Sequence, residues 1–188
     1  MPDRRMVLGS GLALMLAGRA DANTPVSTAH AFSFEGIEGG SIDLGQHRGK
    51  LLLVVNTASR CGFTGQYAGL QSLWTRYRAR GLTVVGVPAN DFAGQEPGSN
   101  EDILGFCSSR FGVTFPLAAK SVVLGEGAHP FYRWAAGQRP SETPRWNFHK
   151  YLIGRDGRIA AVFPTSVEPT DPRVITAIER ALVGGSGA

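Results

Sequence analysis

The stretch LLLVVNTASRCGFT, residues 51–64, decides how this chain is read. Leu51, Leu52, Leu53, Val54 and Val55 form an unbroken apolar run with polar residues on both sides, the pattern of a short strand covered on both faces. Small and polar residues follow, Asn56-Thr57-Ala58-Ser59, and then Arg60, Cys61 and Gly62. Beyond them Tyr67, Leu70, Leu73, Trp74 and Tyr77 recur at spacings of three and four, which predicts an amphipathic helix. Cys61 therefore falls between the end of a buried strand and the start of a helix. Unpaired N–H groups and the positive dipole end at a helix N-terminus favour a thiolate over a thiol. Arg60 acts in the same direction. A structural cysteine sits among apolar neighbours; this one has Arg60, Gly62 and Thr64, so the position predicts a reactive thiol.

Working outward, residues 32–34 and 41–44 alternate around Gly36, Gly39 and Gly40, which predicts an N-terminal β-hairpin, and residues 46–50 a polar turn. Gly81 is placed to end the helix, and Leu82-Thr83-Val84-Val85-Gly86-Val87 reads as a second buried strand stopped by Pro88. A strand–helix–strand unit of this length implies a parallel pair with a right-handed crossover. The Gly- and Pro-rich segment 89–100 follows the carboxyl end of that strand, where α/β folds place ligands. Ser99 or Asn100 can cap a helix carrying Ile103, Leu104, Phe106, Cys107 and Phe111 on its apolar side. A short helix over 130–136, a loop over 138–145 and a strand over 148–153 come next. An Asp156-Gly157 turn then leads to a partner strand over 159–163, and a last helix opens at Asp171-Pro172. The expected result is an α/β fold, a central mixed β-sheet with helices on both faces.

At 188 residues, 43% apolar and 18% charged, the chain is long enough for one domain with a full core. Its net charge of +4 is spread without a basic run, which argues against nucleic acid as a partner. The domain is expected over 30–183, with a frayed tail at 184–188. Residues 1–22 read as a signal peptide: Asp3-Arg4-Arg5, an apolar stretch over 6–17, and Ala20-Asp21-Ala22 as a cleavage signal. The Arg4-Arg5 pair resembles a twin-arginine export signal. The apolar stretch is short of the roughly 20 residues that span a membrane, so stable insertion is not expected, although an uncleaved anchor is the other reading. Cleavage after Ala22 leaves a flexible leader over 23–29 and implies export, to the periplasm of a bacterium.

Two cysteines are present, Cys61 and Cys107. Their separation excludes a CxxC redox motif and a CxxC zinc site, and leaves two readings: a structural disulfide, or a nucleophile with a resolving partner. His30, His47, His129 and His149 show no metal-ligand spacing, and no haem, flavin or nucleotide motif occurs, so no metal or cofactor is expected. His149, in an alternating strand, is expected to point outward.

Four segments, NTASRCGFT, NDFAGQEPGSNEDI, FCSSRFGVTFP and WNFHKYLIGRDG, resemble in order and spacing the signature blocks of the glutathione peroxidase family. The resemblance implies a thioredoxin-like fold and reduction of hydroperoxides, with Cys61 as the peroxidatic residue and Gln95, Trp146 and Asn147 as its polar partners. A thiolate that splits an O–O bond expels an alkoxide or hydroxide, so donors aimed at sulfur and leaving oxygen are needed. An amide, an indole and a second amide are donors that do not titrate. Cys107 aligns with the resolving cysteine of members that recycle through an intramolecular disulfide. With the short link between His129 and Trp146, this implies a monomer served by a thioredoxin-like reductant, with glutathione as the other donor. Cys107 is expected to lie too far from Cys61 to bond until its helix unwinds, since a disulfide needs Cα atoms within about 7 Å.

The usual Asn-Gln-Phe of the family is Asn90-Asp91-Phe92 here, which matters only if Asp91 faces Cys61. Two other functions fit the same fold. A thiol–disulfide oxidoreductase is disfavoured by the missing CxxC, and a non-catalytic redox sensor differs from an enzyme in not turning over.

Overall fold

The computed structural model describes residues 27–184. The signal peptide over 1–22, most of the leader and the tail from residue 185 lie outside them. The chain is already packed where the leader was expected to end: Trp134 Nε1 donates to the Ser27 carbonyl at 2.7 Å, and Ala29 is fully buried in a single 3-10 turn, Ala29–Ala31.

Strands β1 (Ser33–Glu35) and β2 (Ser41–Asp43) pair antiparallel as the expected hairpin. The polar turn that follows is a 3-10 helix, Leu44–His47, capped by Asp43, with Leu44 buried. β3 (Leu51–Thr57) and β4 (Leu82–Pro88) are parallel and joined by α1 (Gln66–Tyr77), and Gly81 follows with φ 99°, a left-handed conformation that glycine adopts without strain. After α2 (Asn100–Phe111) and α3 (Pro130–Gln138) come β5 (Lys150–Ile153), β6 (Ile159–Phe163) and α4 (Pro172–Val183). The main sheet runs β4-β3-β5-β6, with both pairs involving β5 antiparallel.

The unbroken apolar run of β3 has its explanation in two cores. Leu51, Leu53 and Val55 point to one face of the sheet, where Tyr67, Leu70, Leu73 and Tyr77 of α1, Ile103 and Cys107 of α2, and Val174, Ile178 and Leu182 of α4 cover them. Leu52 and Val54 point to the other, against Phe131, Tyr132 and Ala135 of α3 and Phe34 and Leu44 of the N-terminal segment. A strand sandwiched this way has no polar face to display. Gly86 serves the β4 edge: a Cβ there would sit 2.7 Å from Leu117, whose backbone segment pairs with the strand.

Sequence and structure part at the start of β5. Phe148 does not belong to the strand; it has φ 63°, in the left-handed region that bulky residues avoid. That turn puts the next residue inside the protein, so His149, expected to point outward, is only 5% exposed.

Candidate active site

Cys61 lies in the tight turn between β3 and α1, 9% exposed and at the edge of the core. Thr64 closes the turn. Its Oγ1 accepts the Cys61 N–H at 3.0 Å, and its own N–H donates to the Cys61 carbonyl at 3.0 Å. The N–H that reaches the sulfur is that of Phe63, at 3.4 Å. The first N–H groups of α1 are engaged elsewhere, Gln66 with the Phe63 carbonyl and Tyr67 with that of Thr64. The donor expected from the helix start is thus supplied by the turn before it.

The candidate partners come from two distant segments, and a chain of hydrogen bonds draws them to this turn. Gln95 belongs to the loop after β4, and its carbonyl accepts the Arg60 N–H at 3.0 Å, one residue before Cys61. Its Oε1 accepts from Asn147 Nδ2 at 2.9 Å, which leaves the Gln95 amide N–H groups free to face outward from that pair. Asn147 is fully buried, and its carbonyl accepts from Thr165 Oγ1 at 2.7 Å. The Thr165 carbonyl in turn accepts from Gln66 Nε2 in the first turn of α1. Asn56, at the end of β3, holds the same segment from beneath: its Nδ2 donates to the Trp146 carbonyl at 3.1 Å and its carbonyl accepts the Phe148 N–H at 2.6 Å. Trp146 itself is 36% exposed, with its ring 5.9 Å from that of Phe92, and Phe63 is 38% exposed beside Cys61 in sequence. Gln95, Asn147 and the residue preceding Cys61 are therefore joined by hydrogen bonds, and Trp146 is carried on the same turn as Asn147.

Cys107 is fully buried on the inner side of α2, in the same apolar cluster as Cys61, and both thiols are free. Burial pushes the Cys107 thiol up to about 11, partly offset by the Tyr67 hydroxyl beside it. Ser99 caps α2 through a reciprocal capping box with Asp102. Asp91 is turned to the loop beyond α2, where Oδ2 accepts the Val123 N–H at 3.2 Å.

Two buried ionisable groups lie inside the quoted segments without having been singled out, Glu96 and Lys150. Glu96, 1% exposed, has its carboxyl pulled up by burial, an effect partly offset by the neighbouring Ser59. Lys150 is fully buried; its Nζ donates to the carbonyls of Phe148 at 2.6 Å and Val167 at 2.7 Å. Burial draws this lysine down to about 7. These two bonds pin the left-handed turn at Phe148 that follows Asn147. A lysine in an otherwise apolar strand was the one available signal for it. Among the described residues no cluster of three or more His, Cys, Asp or Glu is placed to hold a metal ion.

A reactive-type cysteine in the turn of a parallel strand–helix–strand unit, on a mixed four-stranded sheet, defines a thioredoxin-like thiol protein. Solved structures agree. The thioredoxin-family thiol:disulfide interchange protein from Chlorobium tepidum superposes with a TM-score of 0.63 over 86% of this chain and 99% of its own, at 18% identity, a likeness of fold alone. T. cruzi GPX1 superposes with a TM-score of 0.66 at 31% identity, over 86% of this chain and all of its own. The model of the glutathione peroxidase family matches residues 29–136. The hydroperoxy fatty acid reductase gpx1 of Synechocystis is 41% identical over 154 residues, 77% of this chain and 91% of its own. The glutathione peroxidase-like peroxiredoxin gpx1 of Schizosaccharomyces pombe is 44% identical over 125 residues, 65% and 79% of the two chains. The chain belongs to the glutathione peroxidase family. It is a peroxidase, an oxidoreductase that acts on hydroperoxides.

Proposed function

We propose that the protein is a two-cysteine thiol peroxidase that reduces hydrogen peroxide and organic hydroperoxides, lipid hydroperoxides among them, through Cys61. The Cys61 thiolate attacks the terminal peroxide oxygen, the O–O bond breaks, and the expelled alkoxide takes a proton and leaves as alcohol, or as water from hydrogen peroxide. Cys61 is left as a sulfenic acid. Amide N–H groups of Gln95 and Asn147 and the Trp146 indole N–H stabilise charge on sulfur and leaving oxygen. Cys107, once α2 has loosened, attacks the Cys61 sulfur; water departs and a 61–107 disulfide forms. A thioredoxin-like dithiol protein, or glutathione, reduces that bond. The observation that carries the reading is the hydrogen-bonded chain from Gln66 through Thr165, Asn147 and Gln95 to Arg60, which gathers three separate segments at the Cys61 turn.

The test is steady-state turnover of wild type and Cys107→Ser with a thioredoxin-like donor and with glutathione. Loss of the dithiol-driven rate alone is the expected result. Equal rates with both donors in both proteins would remove Cys107 from the cycle, and no turnover of any hydroperoxide would leave a redox sensor. A monomer in the periplasm is proposed from the leader sequence and the short link before Trp146. Among the described residues no helix is long and apolar enough to cross a membrane. Protein recovered from the periplasm should begin at Asn23; an intact Met1 there would refute cleavage.

A further inference from the structure

The end of the main sheet opposite Cys61 carries a concentration of positive charge that has no part in the peroxide chemistry. Four segments meet there. The Leu51 N–H donates to the Gly81 carbonyl at 2.8 Å, which sets the turn before β3 beside the turn before β4. The Gly49 N–H donates to the Arg155 carbonyl at 3.2 Å and brings in the turn between β5 and β6. Arg155 Nη2 donates to the Leu182 carbonyl at 2.9 Å, which adds the last turn of α4. Each segment supplies exposed cations: Arg48 and Lys50, Arg78 and Arg80, Arg158, and Arg180. Two of them are partnered, Arg80 with Glu179 at 2.6 Å and Arg158 with Asp156 at 4.0 Å. Arg48, Lys50, Arg78 and Arg180 pair with no acid among the described residues. Asp43, the other acid in the neighbourhood of Lys50, accepts from the Gly45 N–H at 2.8 Å. Val183 is 72% exposed in the last turn of α4, three residues after Arg180 and so on the same side of the helix. The basic residues that the sequence scatters are thus gathered at one end by the fold.

We infer that this end is a docking face for an anionic phospholipid surface, holding the protein at a membrane with Cys61 turned to the water. Headgroup phosphates form a plane of negative charge, and cations from four segments present a broad front to it. Guanidinium groups match phosphate oxygens in pairs. Val183 supplies an apolar side chain that can enter the boundary between headgroups and acyl chains. A nucleic acid is equally anionic but offers nothing to an exposed valine, and it calls for aromatic platforms or a groove-reading helix. The exposed aromatic side chains, Phe63 and Trp146, belong instead to the Cys61 end. β3 is seven residues long, so roughly 20 Å of sheet separates this face from the Cys61 turn. The face therefore holds the enzyme and does not bind its substrate; hydroperoxide and reductant reach Cys61 from the aqueous side. Each cation held near an anionic bilayer raises partitioning by about fivefold, an effect that salt screens.

The experiment is sedimentation of the full chain with vesicles of phosphatidylcholine containing phosphatidylglycerol, against vesicles of phosphatidylcholine alone. Wild type should bind the anionic vesicles at low salt, leave the neutral ones unbound, and be released as salt is raised. The combined variant Arg48→Gln, Lys50→Gln, Arg180→Gln should lose about 10²-fold in partitioning, the product of three charges. Val183→Ser should lose a smaller factor. Arg133→Gln with Arg173→Gln removes two exposed cations from elsewhere on the surface and should change binding by less than about twofold. All these side chains are exposed, so their replacement leaves both cores untouched. Orientation is read by iodoacetamide labelling of Cys61, which should proceed on vesicles at the rate found in solution. Binding that survives the triple variant, or equal binding to both kinds of vesicle, overturns the docking face. Labelling slowed more than about tenfold on vesicles would place Cys61 against the membrane and overturn the orientation. Retention on a DNA duplex without vesicle binding would assign the face to nucleic acid, and release by inorganic phosphate beyond the effect of chloride at equal ionic strength would reduce it to a phosphate site. None of these readouts needs turnover, so the outcome is separate from that of the peroxidase reading.

Discussion

Cys61 and Cys107 line the same apolar cluster and are both reduced, yet their surroundings differ in kind. Cys61 sits in a turn at the rim of the core, with a backbone N–H aimed at its sulfur and an amide network alongside. Cys107 is sealed on the inner face of a capped helix, with burial holding its thiol up at about 11. Exposure to a peroxide, polar donors and turn geometry belong to the first. Packing and a closed helix belong to the second. A thiol kept protonated by burial is a poor nucleophile, so in the proposed cycle the two sulfurs act at different times, Cys61 first and Cys107 after its helix opens.

Replacing Cys61 by Ser should break the comparison most completely. A serine hydroxyl without a base is a far weaker nucleophile, so peroxide-dependent turnover should fall by more than about 10³-fold, read as peroxide consumption, while Cys107→Ser leaves the first turnover intact. Retained multiple turnover in the serine variant would move the chemistry elsewhere. Asn147→Ala comes next. Removing one preorganised donor, and with it the Gln95 contact, should slow the single-turnover reaction of Cys61 by about 10²-fold; an unchanged rate would make the network structural only.

The smallest effect is the pH dependence of Cys107. In Cys61→Ser protein, alkylation by iodoacetamide should stay slow through pH 8 and rise as pH climbs towards about 11. The same shift has a stability sign. The folded thiol holds its proton where the unfolded one has lost it, so its contribution is full below the ordinary thiol pKa near 8.5 and is lost as pH rises through about 11. Chemical denaturation at a series of alkaline pH values reads that slope. Fast labelling at pH 8 would show that α2 opens spontaneously.

Most of the fold was legible because strong local signals agree with the tertiary structure. The apolar run of β3, the three–four spacing of α1, the capping signal before α2 and the Asp171-Pro172 start of α4 each match an element within a few residues. The start of β5 was not legible. Alternation extended the strand back through Phe148, but Asn56 takes the Phe148 N–H and Lys150 takes its carbonyl, and together they hold a left-handed turn that no local preference favours. The burial of His149 follows from that turn.

The sequence by itself determined the order of elements, the exceptional position of Cys61 between strand and helix, and the membership of Gln95, Trp146 and Asn147 in motifs of their own. Those are properties of short stretches, and short stretches speak through periodicity, caps and spacing. Tertiary structure alone decided which N–H reaches the Cys61 sulfur, that Asp91 turns to Val123, and that His149 is buried. The first depends on how a tight turn closes, and the other two on hydrogen bonds from residues far along the chain, Val123 for Asp91 and Asn56 for the turn before His149; sequence order carries no record of which distant group satisfies a given donor.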